Sequence, residues 1–281
     1  MFYAAGHCKL FRHMVNLETR WRSEESGVGA ELLVPARFED PVTAYGYQRM
    51  VFEQVASGAR PTTISVTASA RHVGVTRRDT HRPGFDEAVR VSNEEGYPVM
   101  VRGSGGGATA ADKGTFGFSI VRPAGDGGIR QDIRDRYDEA AALVLGAFSR
   151  LGIEAEVGEV REEFCPGDHS VRVGGWGQGM KVVGIAQRIT RRATSVGGIV
   201  LVHGEEELAK VLEKVYRAME LPFRTGSVGS LHRAGLEAGV EEVIEAFAEE
   251  AEARYGAKRV TVDSETLEAA RRTGGQHLIS L

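Results

Sequence analysis

Three short stretches of this chain hold residue types that can do chemistry together. Val101–Thr109 carries Arg102, Gly103, Ser104, the triplet Gly105-Gly106-Gly107 and Ala108. Phe164-Cys165-Pro166-Gly167 offers a thiol, and Met180–Arg188 is led by Lys181 and thinned by Gly184 and Ala186. A thiolate attacks carbonyl carbon. A glycine loop lets backbone N–H groups come close to a ligand oxygen. A lysine can stabilise negative charge that develops on that oxygen. In this order they are the parts needed to hold an acyl group and pass it on.

Each also has a plainer reading. A glycine triplet alone is more often a tight turn between strands that needs positive φ. It is not a phosphate loop, because it lacks the lysine-Ser/Thr ending and runs on to a strand instead of a helix. A lone cysteine is most often a small buried hydrophobe, but Pro166-Gly167 argues for a turn that presents Cys165 to a pocket. His169, with Asp168, is either a solvated loop residue or a group that helps form the thiolate. Lys181 shares its strand face with Val183, Ile185 and Gln187. It either holds an oxygen in a pocket or guards a sheet edge. His72, His81 and His203 stand isolated, and Asp112 is a turn residue or a partner of Lys113. Arg71, Arg77, Arg78, Arg82 and Arg90 make a local basic stretch, which is a solvated face or a surface that steers an acidic carrier or lipoyl domain.

The elements that must position these groups follow from periodicity. Apolar spacing predicts helices over Thr43–Ser57, Asp86–Gly96, Ile133–Leu151, Glu205–Met219 and Glu241–Tyr255. Asp263-Ser264 opens a terminal helix, and Val15–Arg22 forms two arginine-rich helical turns. Strands are expected at Thr62–Ala68, Val99–Val101, Phe116–Val121, Ser170–Val173, Lys181–Ile189, Gly198–Val202 and Arg259–Val262. The irregular alternation, with several hairpins, predicts a mixed or antiparallel sheet with helices against it, an α/β (α+β) fold and not a parallel βαβ series. The division expected is an irregular segment 1–39, a catalytic domain 40–222 and a C-terminal helical extension or subdomain 223–281.

The bulk numbers exclude some function classes. A formal net charge of −4 over 281 residues supplies no basic field for nucleic acid. No run approaches a membrane span, and Met1–Cys8 lacks the apolar core of a secretory signal. Two cysteines, Cys8 and Cys165, are too few for a disulfide framework and have no partners at zinc spacing, so the chain reads as cytoplasmic with reduced thiols.

Val101-Arg102-Gly103-Ser104-Gly105-Gly106-Gly107-Ala108, followed by Asp112, Gly114 and Phe118-Ser119, resembles the arginine, serine and glycine signature of the lipoate–protein ligase and octanoyltransferase superfamily. Lys181-Val182-Val183-Gly184-Ile185-Ala186-Gln187-Arg188 is similar to its second signature, and Gly74–Asp79 also fits. The resemblance covers about residues 40–205 and implies the biotin/lipoate protein ligase-like fold, a mixed sheet flanked by helices. Phe164-Cys165-Pro166-Gly167 and Ala111 resemble the branch that moves octanoyl from the glycine cleavage H protein to other lipoyl domains through a cysteine acyl-enzyme. Two departures stand out: the long turn Gly174–Gly179 between cysteine and lysine, and Thr115-Phe116-Gly117.

The resemblance implies Cys165 as nucleophile and Lys181 as the group that binds the acyl carbonyl. It places Arg102, Ser104, Gly105, Gly106, Gly107, Ala108, Gly184 and Ala186 around the substrate. It implies no metal and no nucleotide cofactor. The partners are octanoylated H protein or acyl carrier protein as donor, and lipoyl domains of 2-oxoacid dehydrogenases as acceptors. The rivals are an octanoyl-acyl-carrier-protein octanoyltransferase, an ATP-dependent lipoate ligase that needs no thiol, and a catalytically silent binder of lipoyl domains.

Overall fold

The computed structural model describes residues 29–124 and 133–279. Cys8 and the helical turns expected at Val15–Arg22 lie outside them. The elements in chain order are β1 (Glu31–Leu33), α1 (Pro41–Ala56), β2 (Thr63–Ala68), β3 (His72–Val75), α2 (Phe85–Glu94), β4 (Val99–Val101), β5 (Thr109–Ala111) and β6 (Thr115–Pro123). Then follow α3 (Ile133–Arg150), β7 (Glu156–Val157), β8 (Val171–Val173), β9 (Met180–Ile189), β10 (Ala193–Leu201), α4 (Glu205–Ala218), α5 (Val240–Tyr255), β11 (Lys258–Arg259) and α6 (Ser264–Thr273). The expected helices that fall within the described residues are present to within a few residues. Asp40 caps α1 by accepting from Thr43 N at 2.7 Å, and Asp263 caps α6 by accepting from Thr266 N at 2.7 Å.

The main sheet has the order β11-β1-β2-β6-β10-β9-β8-β7. The β11, β1 and β2 neighbours are parallel and the other pairs antiparallel, so the sheet is mixed as expected. A second sheet, β4-β3-β5, carries the glycine loop as its β4–β5 connection. The fold is α+β, a mixed sheet flanked by helices.

Alternation along β6 gives the main sheet two unlike faces. Phe116, Phe118 and Ile120 point to a core shared with α3 and α5. There Phe247 of α5 meets Phe116 at 5.0 Å, Phe118 at 5.6 Å and Phe148 of α3 at 6.0 Å between ring centroids. On the other face Gly117 and Ser119 pair with Thr67 and Ser65 of β2, and with Ile199 and Gly197 of β10. That face is lined with small residues and is covered by α1, whose Tyr47 hydroxyl lies 3.2 Å from Ser65 Oγ.

The structure adds strands that periodicity missed. β1 lies in the segment expected to be irregular, and β3, β5 and β7 are two to four residues long. Such lengths hold too few residues to show a period of two. β10 also begins at Ala193, before the Gly198 expected. Gly197 weakens the strand signal, yet it sits where a Cβ would come within 2.1 Å of the Phe118 carbonyl oxygen. Among the described residues no helix is long and apolar enough to cross a membrane.

Candidate active site

Cys165 lies on the loop between β7 and β8, 8% exposed, with a positive φ of 44°. A non-glycine residue in that region is strained by about 1–3 kcal/mol and persists only when its surroundings fix it. Both polar backbone groups of Cys165 are fixed. Its N–H donates to the Tyr216 hydroxyl at 2.6 Å, and its carbonyl accepts from Lys181 Nζ at 2.8 Å. Tyr216 in turn donates to the Ala108 carbonyl at 2.9 Å. One hydroxyl from α4 thus ties the cysteine loop to the glycine loop. Burial pushes the Tyr216 pKa far up, so the group stays a donor.

Lys181, at the start of β9, is fully buried. Its ammonium carries three donors, and they go to Glu163 Oε1 at 3.0 Å, Phe164 O at 2.8 Å and Cys165 O at 2.8 Å. It also sits 4.6 Å from the Phe164 ring centroid. Glu163, equally buried, gathers the rest of the loop. Its carboxylate accepts from Val160 N at 2.9 Å, Ser170 Oγ at 2.5 Å and Gly167 N at 3.3 Å. The lysine therefore lies beneath the loop, and its donors must leave protein oxygens before they can meet an acyl carbonyl.

The thiol faces the glycine loop. Gly107 N–H donates to Sγ at 3.2 Å, and Arg102 Nη2 lies 3.3 Å from it. Arg102 is itself held by the Gly107 carbonyl at 2.6 Å and Ser104 Oγ at 3.1 Å. Burial pushes the Cys165 thiol up. The charges of Arg102 and Lys181, with the hydrogen bonds from Gly107 and Arg102, outweigh it and hold the thiol below its ordinary value. The balance favours the thiolate, the form that attacks carbonyl carbon. The need for glycine is steric at one position. Gly106 has φ of 104°, and a Cβ there would lie 2.5 Å from Sγ.

A cavity of about 220 Å³ opens beside the thiol, between α1 and the small-residue face of the sheet. Cys165, Arg102, Gly103, Ser104, Gly184 and Ala186 line it. Gly106, Gly107 and Ala108 stand behind the thiol instead, and Gly105 N–H ties the loop to Gln187 O at 3.2 Å. The residues expected from three distant stretches are thus brought together. His169 is not among them: it stacks on Tyr137 at 4.6 Å and meets Asp138 at 3.1 Å. Asp168 is exposed, and Asp112 holds the turn at Gly114 N at 2.8 Å. Sequence reasoning missed Glu163 and Tyr216. The only signal for Tyr216 was a hydroxyl on the apolar face of α4.

The Lipoyl protein ligase A/B catalytic domain matches residues 40–252. The chain is 34% identical over 126 residues to the Octanoyl-[GcvH]:protein N-octanoyltransferase of Geobacillus kaustophilus, a match over 45% of this chain and 42% of that protein. It is 25% identical over 167 residues to the Lipoyl-[GcvH]:protein N-lipoyltransferase of Listeria monocytogenes, over 59% of this chain and 58% of that protein. The chain thus spans about half the length of these relatives. In fold it is similar to a lipoate-protein ligase A bound with ATP, with TM-score 0.68 and 18% identity over 89% of this chain and 95% of the other. Because the family match covers most of its length, the chain belongs to the lipoyl protein ligase A/B catalytic domain family, within the superfamily of lipoate and octanoyl transfer.

Proposed function

We propose that the protein is an N-octanoyltransferase that works through an acyl-enzyme on Cys165. The observation that carries this reading is the pair of donors on the thiol, Gly107 N–H and the Arg102 guanidinium, at the wall of a cavity. The thiolate attacks the carbonyl of an octanoyl group held on a lysine of the glycine cleavage H protein. Oxygen charge that develops in the transition state is met by a donor group already at the cavity wall, here the Arg102 guanidinium. Lys181 adds charge from beneath and holds the loop, and it reaches the oxygen only by releasing a loop carbonyl. The acyl group then passes to a lysine of a lipoyl domain. The names of the relatives support H protein as donor. The scheme uses no metal and no nucleotide.

The test is the mass of the protein after incubation with octanoylated H protein, without ATP. An octanoyl adduct in the wild type, lost in a folded Cys165→Ala variant together with transfer to a lipoyl domain, is the expected result. Unchanged turnover in Cys165→Ala would remove the thiol from the mechanism. Octanoate-dependent release of pyrophosphate from ATP would replace transfer by ligation.

A further inference from the structure

A second group of side chains shares the cavity with Cys165: Tyr45 of α1, His72 of β3, and His277 from the turn after α6. The Tyr45 ring stands 5.1 Å from His72 and 5.5 Å from His277 between centroids. Each histidine has Nδ1 against a backbone carbonyl, Ala70 O at 2.9 Å for His72 and Val101 O at 2.8 Å for His277. A carbonyl oxygen only accepts, so Nδ1 carries the proton, and in the neutral ring Nε2 is left as an acceptor. His277 Nε2 is buried and has no hydrogen-bond partner among the described residues.

The C-terminal tail holds His277 against the residue that precedes Arg102. Leu278 bridges Met100 in antiparallel fashion, and Ile279 N donates to Val99 O at 2.9 Å, so the tail adds to β4 like an extra strand. Val101, which receives His277, directly precedes Arg102, and Arg102 touches Cys165 Sγ. Burial, the largest influence on the neighbouring His72, pushes its pKa down to about 4 despite its bond to Ala70. Burial keeps Tyr45 protonated. His72 is then a weak base and Tyr45 no base at all.

We propose that His277 Nε2 accepts the proton released when an amine attacks the acyl group on Cys165, an inference that rests on the acyl-enzyme reading above. The lysine nitrogen of the acceptor bonds to the carbonyl carbon, and the nitrogen's extra proton passes to Nε2. The C–S bond breaks and its electron pair returns to Sγ, where Arg102 and Gly107 N–H hold the thiolate. When an amide donor acylates Cys165, the same steps run backwards. The departing lysine amine takes its proton from the His277 imidazolium. Amide-to-amide exchange therefore consumes no net proton.

The variant that tests this is His277→Asn, because the Asn amide still offers a donor to Val101 O but has nothing in place of Nε2. Acyl-enzyme is formed from p-nitrophenyl octanoate, its mass is checked, and transfer to an unmodified lipoyl domain is followed in a single turnover. The expected result is a normal adduct with transfer slowed about a hundredfold, partly restored by added imidazole. The rate–pH profile should lose the limb on which the wild type slows as its base protonates. Tyr45, Arg49, His72, Arg102, Cys165 and Arg188 are the titratable or charged groups that line the cavity with that ring, and all remain in the variant. Transfer at the wild-type rate would overturn the proposal. So would a slow variant that imidazole does not help and whose pH limb persists, since that is what a merely structural role produces. Absence of the adduct in the wild type would instead remove the acyl-enzyme reading itself, and this inference with it.

Discussion

Two fully buried clusters in this protein are held together by opposite means. Around Phe247 the contacts are aromatic rings from α3, α5 and β6. Around Lys181 they are a charged pair and a set of hydrogen bonds to one loop. Apolar burial is non-directional and stabilises roughly in proportion to area. A buried ion pair gains little net stability over apolar replacements, but each partner demands one geometry. The difference teaches how the molecule divides its labour. The aromatic cluster keeps the sheet folded, and the polar cluster holds Cys165 in a backbone conformation it would not choose.

Substitutions should separate the two roles. The largest effect is expected from Lys181→Ala, which leaves Glu163 buried without its cation. Thermal or denaturant unfolding should show a loss of about 3–5 kcal/mol, and formation of the octanoyl adduct should fail. Adding Glu163→Gln to Lys181→Met removes the lone charge and keeps one acceptor oxygen, enough for the Val160 side or the Gly167 side of the loop but not both, so stability should return in part. The adduct should not, because nothing then holds the Cys165 carbonyl. A double variant that acylates like the wild type would show that the pair does not position the thiol.

Phe247→Ala should cost a comparable 3–5 kcal/mol in unfolding but leave the chemistry alone. The rate of adduct formation per folded molecule, measured below the melting range, should match the wild type. A specific loss of that rate would mean that the two clusters are coupled through β6.

Arg102→Gln should have the smallest effect on stability, since the side chain is only half-buried. Its signature is in pH. Arg102 lowers the Cys165 pKa, and the thiolate is the form that alkylating reagents attack. Losing that charge raises the pKa, so the onset of iodoacetamide reactivity should move to higher pH. An unmoved onset would assign the effect to Lys181 and the Gly107 amide alone.

Much of the architecture was legible because it is written in neighbouring residues. The stripe of α3 and the caps at Asp40 and Asp263 depend on side chains a few positions apart, and the structure keeps them. The types and order of Arg102, Ser104, the glycine triplet, Cys165 and Lys181 likewise pointed to the family that the chain belongs to. The short strands β3 and β5 were not legible, since Gly74 and the alanines of β5 give no apolar alternation.

What only the tertiary structure decided is which atoms meet. The sequence could say that Lys181 leads a strand; packing under the loop decided that its donors go to Glu163, Phe164 and Cys165. Tyr216 and His277 looked like ordinary residues of a helix and a tail, yet they reach Cys165 and Val101 across 51 and 176 positions of chain. The physical reason is range. Periodicity and capping act within a turn or two of chain and can be read along it. Hydrogen bonds and charge pairs act over a few ångströms of space, and folding alone brings those partners within reach.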